Sequence, residues 1–185
     1  MLHYNIYEWL IKFGFTFSVF SVAGWVLEVI YRSLSQMRFV NPGMLHGPYL
    51  PLYGTGALLL MRCVCLIGNS SIMMKIIVYL SVTTGLELFA GFVSQKCFHN
   101  LLWDYSNEWL NYKGYICLKF SIYWVFLAFL FEYLILPLYL KVIQNLPLPF
   151  LLIVSVAGTV CILTEFVIAL RRGRFNVHAT TIRHY

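Results

Sequence analysis

Five stretches of this chain are each long and apolar enough to cross a lipid bilayer. They run over about residues 9–31, 49–67, 76–93, 116–140 and 147–170, against a need for about 20 mostly apolar residues per helix. No other feature narrows the fold as far. Hydrocarbon offers no water, so each stretch must satisfy its backbone internally, as an α-helix. Composition agrees: 61% of residues are hydrophobic and 11% charged, where a soluble domain carries about a quarter charged. The expected fold is all-α, a polytopic integral membrane helix bundle forming a single domain over residues 1–185, with a tail at 171–185. Glu8 and Lys12 lie where a secretory leader would be apolar, so the first stretch reads as a span and not a leader.

The net charge of +6 is spread over segment ends, with one cluster at Arg171, Arg172 and Arg174. That pattern marks a cytoplasmic end rather than a nucleic-acid surface. Five spans put the termini on opposite faces. One face carries Lys12, Arg62, Lys75 and Lys141; the other carries Arg32, Arg38, Lys96, Lys113, Lys119, Arg171, Arg172, Arg174 and Arg183. The excess places the C-terminus in the cytoplasm and the N-terminus outside. The five cysteines, Cys63, Cys65, Cys97, Cys117 and Cys161, lack CxxC spacing and read as small hydrophobes. Neither a metal site nor a cofactor is expected.

Residues 41–56, NPGMLHGPYLPLYGTG, crowd prolines and glycines between the first two apolar runs. Such a stretch cannot continue a helix, and it leaves room for a half-length re-entrant element at 39–51. Pro51 falls in the first turn of the second helix, where a missing N–H costs little; Pro137 should kink or end the fourth.

Polar residues within the runs recur at helical spacing. The first helix carries Gly14, Ser18, Ser21, Trp25, Glu28 and Arg32; the third Ser81, Thr84, Glu87, Gly91 and Ser94; the fifth Ser155, Gly158, Cys161 and Glu165. Small residues on such stripes let helices approach closely, which makes them packing seams. The acids are harder to dismiss. Within apolar runs they must be paired, protonated or wetted, at a cost of about 2.5–3.5 kcal/mol at helix-centre depth. Glu28, Glu87, Glu165, Asp104 and Glu108 are expected toward one face together with Arg32 and His46, while Glu132 lies deeper in the fourth helix. Glu28 and Arg32, one turn apart, can neutralise one another. His46 fits a hydrogen-bonded structural role as well as that of a base.

The connection KCFHNLLWDYSNEWLNYKGYI (96–116) carries Trp103, Tyr105, Trp109, Tyr112 and Tyr115, which suit the headgroup level. It reads either as an amphipathic interfacial helix or as a lid. Asp104 before Tyr105-Ser106 can also close a local turn through its side chain.

Taken together, FVNPGMLHGPYLPLYGTG, the glutamate of GLELF, WDYS and GYICLKFSIYW resemble the type IV ABC-transporter permease-like family of small bacterial polytopic membrane proteins. The resemblance spans about Val22 to Trp124. Its pattern falls on Gly24, Trp25, Glu28, Arg32, Asn41, Gly43, Gly47, Pro48, Pro51, Tyr53, Gly54, Glu87, Trp103, Asp104, Tyr105, Ser106, Gly114, Cys117, Ser121 and Trp124. Pro42 and Tyr115 stand where basic residues are expected, and Gln95 where a second glutamate often sits. The resemblance implies a transport component in the bacterial cytoplasmic membrane. No GxxxxGK[ST] phosphate loop occurs, so any ATPase would be a separate subunit; five helices also suggest a homo-oligomer or hetero-complex.

The function expected is therefore a permease-like subunit with a cytoplasm-facing acidic and aromatic cavity. Its candidate lining is Glu28, Arg32, His46, Tyr49, Tyr53, Glu87, Trp103, Asp104, Tyr105 and Trp124. Asn41, Gly43, Gly47, Pro48, Pro51, Gly54 and Gly114 would shape the backbone around it. Two alternatives stay open: an intramembrane enzyme acting on a lipid or lipid-linked substrate, and an accessory subunit of another membrane complex. No HExxH motif or nucleophile–base spacing supports the enzyme, and no catalytic residue is assigned.

Overall fold

The computed structural model describes residues 6–42, 45–98 and 101–172, the side chains of residues 97, 98 and 170–172 aside. The chain runs α1 (Ile6–Gln36), α2 (Pro51–Ile67), α3 (Ile72–Phe98), a two-stranded hairpin of β1 (Asn111–Tyr112) and β2 (Ile116–Cys117), α4 (Leu118–Asn145) and α5 (Leu148–Arg172). Four helices are long and apolar enough to span a bilayer: α1, α3, α4 and α5. α2 has 17 residues, about 25 Å, the lower limit for a span.

Local chemistry sets the ends. α1 stops at Gln36 because Met37 adopts a left-handed φ of 51°, and the Arg38 N–H returns to the Ser33 carbonyl at 3.2 Å, closing the helix as a Schellman turn. Pro51 is the first residue of α2, as its fixed φ favours. Ser71 caps α3, its hydroxyl accepting from the Met74 N–H at 3.4 Å. Pro137 neither ends nor interrupts α4. A π-helical turn at Phe131–Ile135 precedes it, and the wider turn leaves room for the proline ring and the freed Tyr133 carbonyl. No helix forms over residues 39–42 or 45–50, so the half-length element admitted at 39–51 is irregular backbone there. Nor is 101–117 an interfacial helix: it is turns plus the hairpin, whose register pairs Asn111 with Cys117 and Tyr112 with Ile116.

The chain divides into two compact units, Met1–Leu58 with Tyr139–Arg172, and Leu59–Leu138. In the first, α1 packs along α5 and the end of α4. Phe15, Ile143 and Leu151 are its buried centre, flanked by Ile11, Val19, Tyr139, Leu146 and Val154. The α1–α5 contact is a reciprocal seam of small residues. A Cβ on Gly14 would collide with Ser155 Oγ, and one on Gly158 with Ser18 Oγ. Lipid adds no hydrophobic drive to this contact, so close backbone approach supplies the attraction instead. Thr16 and Tyr139 bridge hydroxyl to hydroxyl at 2.6 Å.

In the second unit α3 and α4 run antiparallel. Gly91 lies against Tyr115, a Cβ there falling 3.1 Å from that side chain. Thr84 meets Ser121 at 3.1 Å, and the Tyr79 and Phe129 rings sit edge-on at 5.3 Å. The expected seam on α3 holds at Thr84, Glu87, Gly91 and Ser94; Ser81 is exposed and bonds its own helix instead.

Candidate functional site

The sequence-derived residues fall into two groups, one in each unit. In the first unit the lower turns of α1 carry Glu28 and Arg32. Helical spacing puts them one above the other, and Arg32 Nε donates to Glu28 Oε1 at 2.7 Å. Tyr53, from the first turn of α2, donates its hydroxyl to the other carboxylate oxygen at 2.8 Å. The Tyr53 ring packs against Gly24, where any Cβ would overlap it. Gly54 likewise lies against Ser21 and the Phe17 carbonyl. Both glycines are thus contact surfaces that bring α2 onto α1 and Tyr53 onto Glu28.

The described residues of the irregular segment between α1 and α2 are tied down at several points. Trp25 Nε1 donates to Asn41 Oδ1 at 2.9 Å, and the Val40 N–H to Ser33 Oγ at 3.0 Å. The Leu50 N–H reaches the Ser21 carbonyl at 2.8 Å. At its centre the backbone N–H groups of His46 and Gly47 converge on Glu165 Oε2 of α5, at 2.8 and 3.1 Å. The Tyr49 hydroxyl also hydrogen-bonds Glu165, and burial first, then this carboxylate, push the phenol well above its ordinary range. Gly47 leaves no space for a Cβ beside the Tyr49 ring. So Glu165 organises the HGPY turn. The His46 side chain is exposed, as is Pro48; Gly43 lies outside the described residues.

In the second unit Glu87 is 2% exposed, more than halfway along α3. Tyr105 donates to its Oε1 at 3.1 Å and stacks on Phe120 at 4.5 Å with rings 13° apart. The loop that delivers Tyr105 is held by its own polar side chains. Asp104 accepts from the backbone N–H of Ser106 at 2.9 Å and from its hydroxyl, the side-chain turn expected of this Asp-Tyr-Ser sequence. The Tyr105 N–H reaches the Gly114 carbonyl at 3.0 Å, and Trp103 Nε1 the Tyr115 carbonyl at 2.7 Å. Gly114 has φ +71°, and a Cβ there would fall 2.7 Å from Asp104 Oδ1, so glycine is required twice over. Asp104 and Trp103 therefore position the loop, whereas Tyr105 touches the buried acid. Trp124 is half-buried in α4.

Two features escaped sequence reasoning. Lys75, which falls just ahead of the apolar run at 76–93, belongs to the first turn of α3 and is 4% exposed. Its Nζ pairs with Glu132 Oε1 at 2.5 Å, and Tyr79 donates to Glu132 Oε2 at 2.8 Å. The apolar Ile72-Met73-Met74 ahead of it was the available signal that the helix starts earlier. The second is Glu165, recognised as an acid near a helix end but not as the anchor of residues 46–49. Its partners are backbone N–H groups, which leave no mark in a sequence.

The family model described as "Putative ABC-transporter type IV" matches residues 15–170. The chain belongs to this family. The match includes α1 from its third turn onward, α2, α3, α4, nearly all of α5, the irregular segment and the aromatic loop. This is therefore an integral membrane protein of an ABC-transporter-related family. No solved structure matches the chain.

Proposed function

We propose that this protein is the permease-like membrane component of a transporter whose ATPase is a separate polypeptide, with Glu28 and Glu87 as the groups that bind or relay a cation or proton. The observation that carries the reading is Glu87, a carboxylate buried inside a spanning helix under a tyrosine. Such a group is costly to insert, and by default it marks an ion or substrate path. The irregular backbone at 45–50, with its N–H groups taken up by Glu165, is the kind of broken element that lines transport paths. The basic residues of the N-terminal face, Lys12, Arg62, Lys75 and Lys141, are outnumbered by those of the opposite face. The N-terminus is accordingly assigned outside and the C-terminus to the cytoplasm. Reporter fusions at each end test that orientation.

The deciding experiment is gentle purification of the intact protein followed by native mass spectrometry. A stoichiometric ATPase partner, with ATP-dependent flux lost in Glu28→Gln and Glu87→Gln while assembly survives, is the expected result. A lone protein carrying one lipid species, chemically altered on incubation, would replace this reading with the lipid-modifying enzyme. Unchanged flux in both variants would assign the two acids to structure.

A further inference from the structure

The Lys75–Glu132 pair stands apart from Glu28 and Glu87, and nothing above gives it a task. Its members lie on adjacent helices, with side chains only 5% and 7% exposed. Around Lys75 the residues Ile72, Met73, Met74, Ile76 and Ile77 all present exposed apolar side chains, whereas Lys75 itself turns inward onto α4 from the first turn of α3. Glu132 is beyond the middle of α4, inside the π-helical turn. That turn brings two consecutive residues to one cation: Nζ of Lys75 donates to Glu132 at 2.5 Å and to the Tyr133 hydroxyl at 3.0 Å, and lies 5.0 Å from the Tyr133 ring centre. The second oxygen of Glu132 takes the Tyr79 hydroxyl.

These contacts form one continuous line. Tyr133 is 63% exposed at the outer edge, Lys75 and Glu132 follow, and Tyr79, at 0%, closes the inner end. A merely structural lock needs two charges and no opening. Here a hydrogen-bonded chain connects the surface of the unit to a buried carboxylate, and π turns of this kind concentrate at functional sites. In a low-dielectric setting the ionised pair and the neutral pair lie much closer in energy than in water, because separated charge gains little solvation there.

We infer that Tyr133, Lys75, Glu132 and Tyr79 form an intramembrane proton-binding site with Glu132 as the acceptor. The Lys75 ammonium passes a proton along its hydrogen bond to Glu132 Oε1, leaving a neutral amine and a neutral carboxylic acid. The amine then regains a proton from the aqueous phase at the N-terminal end of α3, where Lys75 lies in the first turn. The net change is one proton bound and one positive charge gained, with the carboxylic acid no longer holding the ammonium by charge. The groups facing the site are Lys75 and Tyr79 from α3, Glu132 and Tyr133 from α4, and the Cys63 thiol of α2, which interacts electrostatically with Tyr79. Proton binding here holds whether or not the protein is a transporter subunit, since it is read without flux.

The test is infrared difference spectroscopy on the full-length protein in lipid nanodiscs, acidified from about pH 8 to about pH 4, a range that covers the ordinary titration of carboxylates and histidine. The expected result is a protonated-carboxyl band that Glu132→Gln abolishes and that Glu28→Gln and Glu87→Gln leave in place. Lys75→Gln keeps the acceptor while removing the neighbouring positive charge, so the band should appear at less acidic pH. Lys75→Arg should leave it near the wild-type position. A band that survives Glu132→Gln in full overturns the proposal, and so does one that Lys75→Gln leaves unmoved. If Glu132→Gln does not fold, the Lys75→Gln displacement decides alone, and the absence of any acid-induced carboxyl band in the wild type rejects the site.

Discussion

The two units handle charge in opposite ways. In the first, Glu28 and Arg32 pair along one helix near its end, with side chains 18% and 20% exposed, and the α1–α5 contact is a seam of Gly, Ser and Thr. In the second, Lys75 and Glu132 pair between helices at 5% and 7% exposure, and Glu87 is buried beneath an aromatic loop. The first arrangement costs little and contributes little, because partly wet ions keep much of their solvation. The second depends on both partners. Removing one leaves an uncompensated ion in a setting that cannot solvate it. The lesson is that ion pairs of similar appearance carry different stakes according to depth.

The largest expected effect follows directly. Lys75→Met should destabilise the protein by about 3–5 kcal/mol by stranding Glu132, whereas Arg32→Met should cost only about 0–1 kcal/mol. Thermal unfolding in mild detergent reads both, and the double variant Lys75→Met with Glu132→Met should recover most of the loss. Equal costs for the two single variants would erase the contrast between the units.

Next come the glycines. Gly158→Leu should cost about 1–3 kcal/mol, since the Ser18 hydroxyl occupies the space its Cβ needs. Gly85, in the second unit, has nothing within 4 Å of a would-be Cβ. Gly85→Ala should therefore stabilise α3 by about 0.5–1 kcal/mol. If both substitutions destabilise alike, close approach is not what sets the α1–α5 seam.

The tyrosine donors sharpen the comparison further. Tyr105→Phe removes a hydrogen bond to the buried Glu87 and should cost about 1.5–3 kcal/mol; Tyr53→Phe, at the wetter Glu28, should cost about 1 kcal/mol. The smallest effect is confined to alkaline solution. The Tyr49 phenol is held above its ordinary range in the folded protein. The unfolded chain therefore loses this proton first, and the contribution, complete below about pH 10, declines as pH rises past it. Tyr49→Phe should flatten that alkaline decline in the unfolding midpoint, apart from the pH-independent loss of its hydrogen bond to Glu165.

Much of this was legible in the sequence. Apolar runs identify the helices because hydrocarbon permits little else, and Gly14, Ser18, Ser155 and Gly158 declared their seam through helical spacing. Glu28 with Arg32 was readable for the same reason, as an i, i+4 pair. The aromatic loop was read less well. Its Trp and Tyr content suits an interface in any backbone conformation, so composition could not distinguish a helix from the turns and hairpin that Asp104, Asn111 and Gly114 hold together.

Periodicity and apolar length, which act between near neighbours in the chain, determined by themselves that this is a helical membrane protein with small-residue seams and a broken segment between α1 and α2. Only the tertiary structure decided which polar groups meet between distant parts of the chain. Lys75 and Glu132 are 57 positions apart, and Glu165 is 119 from the His46 N–H it accepts. No local spacing encodes such pairs. They form because a buried ion must find its counterpart wherever the packed helices bring one.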